Sequence, residues 1–248
     1  MSPLLSESAP LERYGHNLTR LAKRGTFPPL TSDEAMVPRV LQVLQRRRKN
    51  SPLILASDEP RRWAIVAEVI RRMAAGDAPE PLLTRQVIGL DYEALFSNLS
   101  DDILIRKACI KQKYAPLGEK LAQAEPDSEE EWALFAESFR WPSLEEWIAP
   151  TMVLERLQSM FIAMHQAAGS FILYIDHFHR LLGGELDRYP IDAATLLKPT
   201  LNRDRIQLIG ACTLEQYRQH IERDAAIQRP CQEMCVPDIG LPSDFHLD

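Results

Sequence analysis

Short apolar runs alternate along this chain with stretches in which apolar residues recur at helical spacing. The runs at 52–55 (PLIL), 86–90 (QVIGL), 171–175 (FILYI) and 206–209 (IQLI) read as strands. FILYI is apolar throughout, as a strand covered on both faces of a sheet must be. Val37, Val40, Leu41 and Leu44 form one stripe, which predicts a helix over 33–48. Further helices are expected over 64–73, 152–167, 191–197 and 214–223, and a short helix or helix-like arm over 11–24, broken by Pro28-Pro29. Strands alternating with helices predict an α/β fold with a central, mostly parallel sheet flanked by helices. Residues 1–10 and 241–248 are expected to be tails, with one large domain over 11–240.

Charge and cysteine usage narrow the function classes. The 248 residues carry a net charge of −6, which argues against a broad nucleic-acid footprint. The basic run Arg46-Arg47-Arg48-Lys49 could mimic a nucleic-acid patch, but it also suits the C-terminal end of the helix before it. No run of about 18 apolar residues predicts a membrane span, and the N-terminus has no secretory pattern. Cys109, Cys212, Cys231 and Cys235 do not form a disulfide framework, so reduced thiols and a cytoplasmic location are expected. Cys231-x3-Cys235 lacks a second ligand pair, and no metal site is expected.

Candidate chemistry centres on the junction between the strand at 52–55 and the helix at 64–73, where a phosphate-binding loop belongs. Such a loop needs glycines that turn backbone N–H groups inward, a Lys for the β/γ-phosphates and a Ser/Thr for Mg²⁺. The loop here is Ala56-Ser57-Asp58-Glu59-Pro60-Arg61-Arg62-Trp63, without a glycine. Asp58 and Glu59 stand where an anion should bind. A like-charge contact at about 4 Å costs roughly 1 kcal/mol in water and several in a partly buried site.

Several segments together resemble the first ATPase module of the Clp-type AAA+ unfoldases and disaggregases, a group that includes the type VI secretion-associated Clp ATPase. LERYGHNLTRLAKRG is similar to the family's lead-in, RVLQVLQRRRKNSPLIL to its helix and first strand, and FILYIDHFHRLLGG to its Walker B strand. DAATLLKPTLNRDRIQLIGACTLEQYRQHIERDAAIQR is similar to the stretch from sensor 1 to the arginine finger. The likeness covers about 11–98 and 152–236 and implies the large subdomain of an AAA+-like P-loop fold, with the helical lid and second module absent.

The family's loop, G-E-P-G-V-G-K-T, aligns without gaps to Ala56–Trp63. Arg62 then stands at the catalytic Lys position and Trp63 at the Mg²⁺-binding Thr position. Ala56, Glu59 and Arg61 replace the glycines and tolerate positive φ poorly. Asp176 is retained in the Walker B element. The following Glu, which activates water, is His177: an imidazole could serve as a base, or the position has drifted in an idle site. His179 matches a His common in the family and reads as structural. Thr213 keeps the sensor 1 position. Arg229 keeps one arginine finger, whereas the second is Pro230. The adenine-side lead-in corresponds to Leu30-Thr31-Ser32-Asp33 and is also changed.

Where the family carries a short pore loop, this chain has about fifty residues, 99–151, expected to be a mainly helical insert. Trp132, Phe135 and Phe139 fall on one helix face, with Trp141 and Trp147 nearby among acidic residues. That face suits the domain's own core or a partner-docking surface, and both readings stay open.

The resemblance with its losses implies a non-catalytic pseudo-ATPase, an interaction or structural module docking a Clp-type ATPase or a secretion-system component. The alternative is a regulatory subunit that senses ATP or ADP without turnover, using the vestigial positions Arg62, Asp176, Thr213 and Arg229. An enzyme with other chemistry built on Asp176, His177 and His179 lacks a nucleophile–base–orienter set. No cofactor is required by the first reading. Loss of a bridging nucleotide and of one arginine finger argues against a hexamer.

Overall fold

The computed structural model describes residues 9–30, 33–99, 144–167, 169–182, 193–202 and 206–237. The elements in chain order are α1 (Ala9–Arg13), β1 (Gly15–Asn17), α2 (Leu18–Lys23), α3 (Met36–Leu44), β2 (Ser51–Leu55) and α4 (Glu59–Ala75). They continue with α5 (Glu80–Leu83), β3 (Gln86–Leu90), α6 (Tyr92–Phe96), α7 (Leu144–Gln166) and β4 (Phe171–Ile175). After a 3-10 turn (Phe178–Leu181) come α8 (Ala194–Asn202), β5 (Gln207–Cys212), α9 (Leu214–His220), α10 (Ala225–Gln228) and β6 (Cys231–Cys235).

Six strands form one sheet in the order β1-β3-β4-β5-β2-β6. All neighbours run parallel except β1, which lies antiparallel on β3 with Gly15 opposite Leu90. The sheet separates two cores. Leu53, Leu55, Leu173, Ile175 and Leu208 pack on one face with Leu157, Met160 and Phe178. Ile54, Ile172, Ile209 and Ala211 pack on the other with Val37, Val40, Ile65, Val66 and Val69. This alternation follows from the two-residue period of a strand. The expected α/β architecture and mostly parallel sheet are what the molecule has.

Several element boundaries differ from expectation. The arm at 11–24 is two short helices around the edge strand β1. Gly15 permits this close approach: a Cβ there would lie 2.7 Å from Ile88 Cγ2 and 2.9 Å from the Gly89 carbonyl oxygen. The helix expected over 33–48 is confined to Met36–Leu44, so the basic run follows it, and Arg46 bonds Gln232 on β6 at 2.9 Å. The helix before FILYI starts at Leu144 rather than 152, carrying Pro150 inside it. β5 extends to Cys212, and α9 ends at His220. The fold also adds a strand, β6, that periodicity did not mark. The tail expected over 1–10 is helical from Ala9; residues 1–8 and the tail at 241–248 lie outside the described residues.

A buried carboxylate ties the lead-in to α4. Glu68 is 3% exposed and accepts hydrogen bonds from Arg71 (2.7 Å, two bonds), Arg72 (2.9 Å) and the Leu30 backbone N–H. The Arg71 hydrogen bonds, opposed by burial and reinforced by Arg72, lower its pKa to about 2. The folded-state value lies below the unfolded one. The stabilisation is therefore full above the ordinary carboxylate range and is lost as pH falls toward about 2. Glu68→Gln is expected to cost about 2 kcal/mol at neutral pH and to flatten the wild-type loss of stability below pH ~5. Urea denaturation at stepped pH measures both; an unaltered pH slope would assign the acid sensitivity elsewhere.

Candidate functional site

The site is built where β2 hands over to α4. The connecting loop is only Ala56–Asp58, because α4 starts at Glu59 instead of near 64. Asp58 is extended (φ −97°, ψ 121°), Pro60 sits in the first turn, and Glu59 adds an acid at the positive end of the helix. The apolar stripe Ile65, Val66, Val69, Ile70 and Met73 extends back one turn, and the residue on that buried face is Arg62. Its charge hides the helical period. Among the described residues, those with positive φ other than glycine are Asp33, Lys49, Asn98 and His177. The loop thus avoids the left-handed conformations that its side chains disfavour, and becomes helix instead.

Arg62 is 1% exposed. Its Nη1 donates to the Ala56 carbonyl at 2.9 Å, and its Nε faces Asp176 Oδ1 at 3.4 Å. Asp176 follows the last residue of β4. Its Oδ1 also accepts the His177 backbone N–H at 2.8 Å, while Tyr92 donates its hydroxyl to the Asp176 carbonyl at 3.1 Å. Arg180 stacks over the Tyr92 ring at 4.8 Å. Burial raises the Tyr92 pKa well above its ordinary value, so the hydroxyl stays a donor. His177 lies at φ 47°, with Nε2 3.5 Å from Glu59 Oε2.

Neighbouring positions close the site from the side. Arg61 grips Asp33 with two bonds of 3.0 and 2.8 Å and donates to the Pro237 carbonyl at 2.9 Å. Trp63 meets Phe27 edge-on at 5.4 Å and Tyr174 at 5.7 Å. Arg61, Arg62 and Trp63 are therefore satisfied by the protein itself. Beside the loop a cleft of about 330 Å³ remains, lined by Leu55, Ala56, Ser57, Thr213, Cys235 and Val236 among others.

The remaining sequence candidates are dispersed. Thr213 caps α9: its hydroxyl accepts the Gln216 N–H at 3.1 Å, and the Gln216 side chain accepts the Thr213 N–H at 3.0 Å. Arg229 is exposed after α10. His179 has a pKa lowered to about 4, chiefly by burial and then by His177 and His220, and its Nδ1 is buried without a hydrogen-bond partner. Burial raises the thiols of Cys212 and Cys231 to about 12, which leaves them unreactive. Trp132, Phe135, Phe139 and Trp141 lie outside the described residues, as does the side chain of Trp147, whose backbone belongs to α7. Sequence reasoning placed Glu59 in the loop and Asp33 in the lead-in but missed their partners, and it missed Tyr92 altogether. Each meets its partner across 28 or more positions, and no local pattern marks such a pairing.

A parallel sheet whose β2 turns sharply into a long helix, opposite an acid at the end of β4, defines the P-loop class of α/β fold, here in its AAA+ form. The comparisons agree. Chaperone protein ClpC1 of the Arabidopsis thaliana chloroplast is 32% identical over 228 residues, covering 92% of this chain and 19% of the relative. Mitochondrial chaperone protein ClpB3 of Oryza sativa subsp. japonica is 31% identical over 224 residues, covering 90% and 18%. S. cerevisiae Hsp104, solved as its ADP complex, superposes with a TM-score of 0.62 at 23% identity, covering 91% of this chain and 30% of that one. No family model matches. The chain's homologues are Clp/Hsp104 chaperones, a match consistent with a partial AAA+ module, and it spans about a fifth of the length of the curated relatives it matches.

The buried pair should respond asymmetrically to mutation. Asp176→Asn leaves the Arg62 cation buried with a weakened partner and is expected to cost about 3 kcal/mol. Arg62→Met removes the cation and leaves Asp176, which is partly exposed and still bonded to the His177 N–H, at less than half that cost. Chemical denaturation of the two variants gives both values; equal costs would mean that Arg62 does not depend on Asp176.

Proposed function

We propose that this chain is a non-catalytic AAA+ module, a pseudo-ATPase that acts through protein contact. The observation that carries the reading is Arg62. At the position of the catalytic Lys, a fully buried guanidinium is bound to Ala56 and Asp176. It occupies with the chain's own charge the place where phosphate charge would be neutralised. Trp63, at the Mg²⁺-binding position, offers no oxygen and packs on Phe27 and Tyr174. Phosphoryl transfer needs a phosphate cradle, Mg²⁺ and an oriented water together, and these side chains are committed elsewhere.

The partner proposed is a Clp-type ATPase or a component of a secretion assembly, met in the cytoplasm. Both suggestions follow from the relationship to Clp chaperones. Among the described residues no helix is long and apolar enough to cross a membrane. Assembly as a nucleotide-bridged hexamer is not part of this reading, since the second arginine finger position is Pro230.

The second reading, a sensor of ATP or ADP without turnover, is favoured by one feature. The cleft beside Ala56 and Ser57 survives, with Thr213 on its wall. Calorimetry with millimolar ATP or ADP and Mg²⁺ separates the two. The pseudo-ATPase reading expects no heat of binding and no phosphate release. A saturable nucleotide isotherm would replace it with the sensor.

Docking through the insert has its own test. Wild-type protein is expected to capture a Clp-type ATPase or secretion component from its native extract. Trp132→Ala with Trp141→Ala is expected to reduce that capture at least about tenfold, as loss of two aromatic anchors should. Undiminished capture by a folded double variant would remove the insert from the interface.

A further inference from the structure

The fold gathers three potential metal ligands that the resemblance does not supply as a set. One ligand atom each from Glu59, Asp176 and His177 lie within 4.8 Å of one another. The geometry points to a binding site for a divalent first-row transition ion, Zn²⁺ in the first instance, held by these three residues without nucleotide. This inference stands apart from the pseudo-ATPase reading, because the ion needs no phosphate to complete its coordination.

The donor set selects the ion class. One imidazole with two carboxylates suits Zn²⁺, Co²⁺ or Mn²⁺ better than Mg²⁺, which prefers oxygen ligands and retains its water. Zn²⁺ takes nitrogen and carboxylate oxygen at about 2.0–2.2 Å. His177 Nε2 and Glu59 Oε2 are already 3.5 Å apart, and the Glu59 side chain, 62% exposed, is free to adjust. Among the described residues, the hydrogen bonds accepted by the Asp176 carboxylate fall on Oδ1, from Arg62 and the His177 N–H, and none falls on Oδ2. Arg62 opposes a second cation, but two carboxylates against one guanidinium leave the cluster net negative.

A second observation lies alongside. His179 keeps a buried, unpartnered Nδ1, and its ring stands edge-on to that of His177 at 6.0 Å between centroids. A buried polar atom without a partner is costly. His177 itself is presented by a left-handed backbone, which aims its ring back toward the start of α4.

Titration of the nucleotide-free chain with Co²⁺ and Zn²⁺ tests the site. One ion per chain is expected, with Co²⁺ absorption bands that Zn²⁺ abolishes and excess Mg²⁺ does not. His177→Asn keeps a residue that tolerates the left-handed backbone; it and Glu59→Gln should each weaken binding by about tenfold or more. His16→Asn, at a surface histidine paired with Asp91, should leave affinity unchanged. Circular dichroism verifies that the variants fold. No binding, full affinity in folded His177→Asn, or affinity lost through His16 alone would each overturn the assignment.

Discussion

A guanidinium that is almost fully out of water must be paired, and the centre of this molecule is arranged around that requirement. Arg62 cannot lose its proton, and an isolated buried charge costs many kcal/mol. The sheet meets the need by ending β4 at Ile175, so that Asp176 reaches the site from one strand while the Ala56 carbonyl reaches it from another. These two strands flank β5 in the sheet. The pair is thus set by the strand order itself and does not depend on a mobile loop. The His177 backbone N–H fixes the carboxylate, and Tyr92, held under Arg180, binds the Asp176 main-chain carbonyl.

The same helix draws in the lead-in segment. Trp63 meets Phe27, Glu68 holds the Leu30 N–H, and Arg61 binds Asp33. Arg61 and Glu68 lie seven residues, two turns, apart and share one side of α4, whereas Trp63 projects from another. In the resembling family this stretch borders the adenine. Here it is fastened to the helix by aromatic packing, a buried carboxylate and a two-bond ion pair. These contacts hold the lead-in on α4 by the chain's own side chains.

The general architecture was legible because strand signals are local. QVIGL and FILYI become strands with the predicted bounds, since a continuous apolar run, three buried residues in QVIGL and four in FILYI, has one economical place in a covered sheet. The remainder was hidden for identifiable reasons. Arg62 interrupts an apolar stripe by its letter and not by its position, so the start of α4 read as loop. Gly15–Asn17 is too short to show a two-residue period and becomes a strand only because β3 offers an open edge. Cys231–Cys235 mixes Gln and Glu with sulfur residues; it forms a strand by pairing with β2 along its whole length. Within the site the candidate positions were legible by alignment, whereas their partners were not. The ion pair of Asp33 with Arg61 and the approach of Glu59 to His177 are created by the fold.

Retention of individual residues carries less functional weight than it first suggests. Asp176 stands at the Walker B position, yet the buried Arg62 alone is enough to require it. Thr213 stands at the sensor position, yet its hydroxyl and N–H are both used in the capping box that starts α9. Each has a structural task that loss of turnover would not remove. The substitutions are informative in the other direction. By the alignment of the loop with the resembling family, Arg62 in place of Lys carries its charge on a larger planar group, and Trp63 in place of Thr offers an aromatic ring instead of a metal ligand. Around the loop Arg61 and Arg62 are paired by the protein, while the Tyr174 hydroxyl and His179 Nδ1 stay buried without a hydrogen-bond partner. The arrangement supports the proposed reading of a module kept for its shape, since the centre is held by the chain's own contacts.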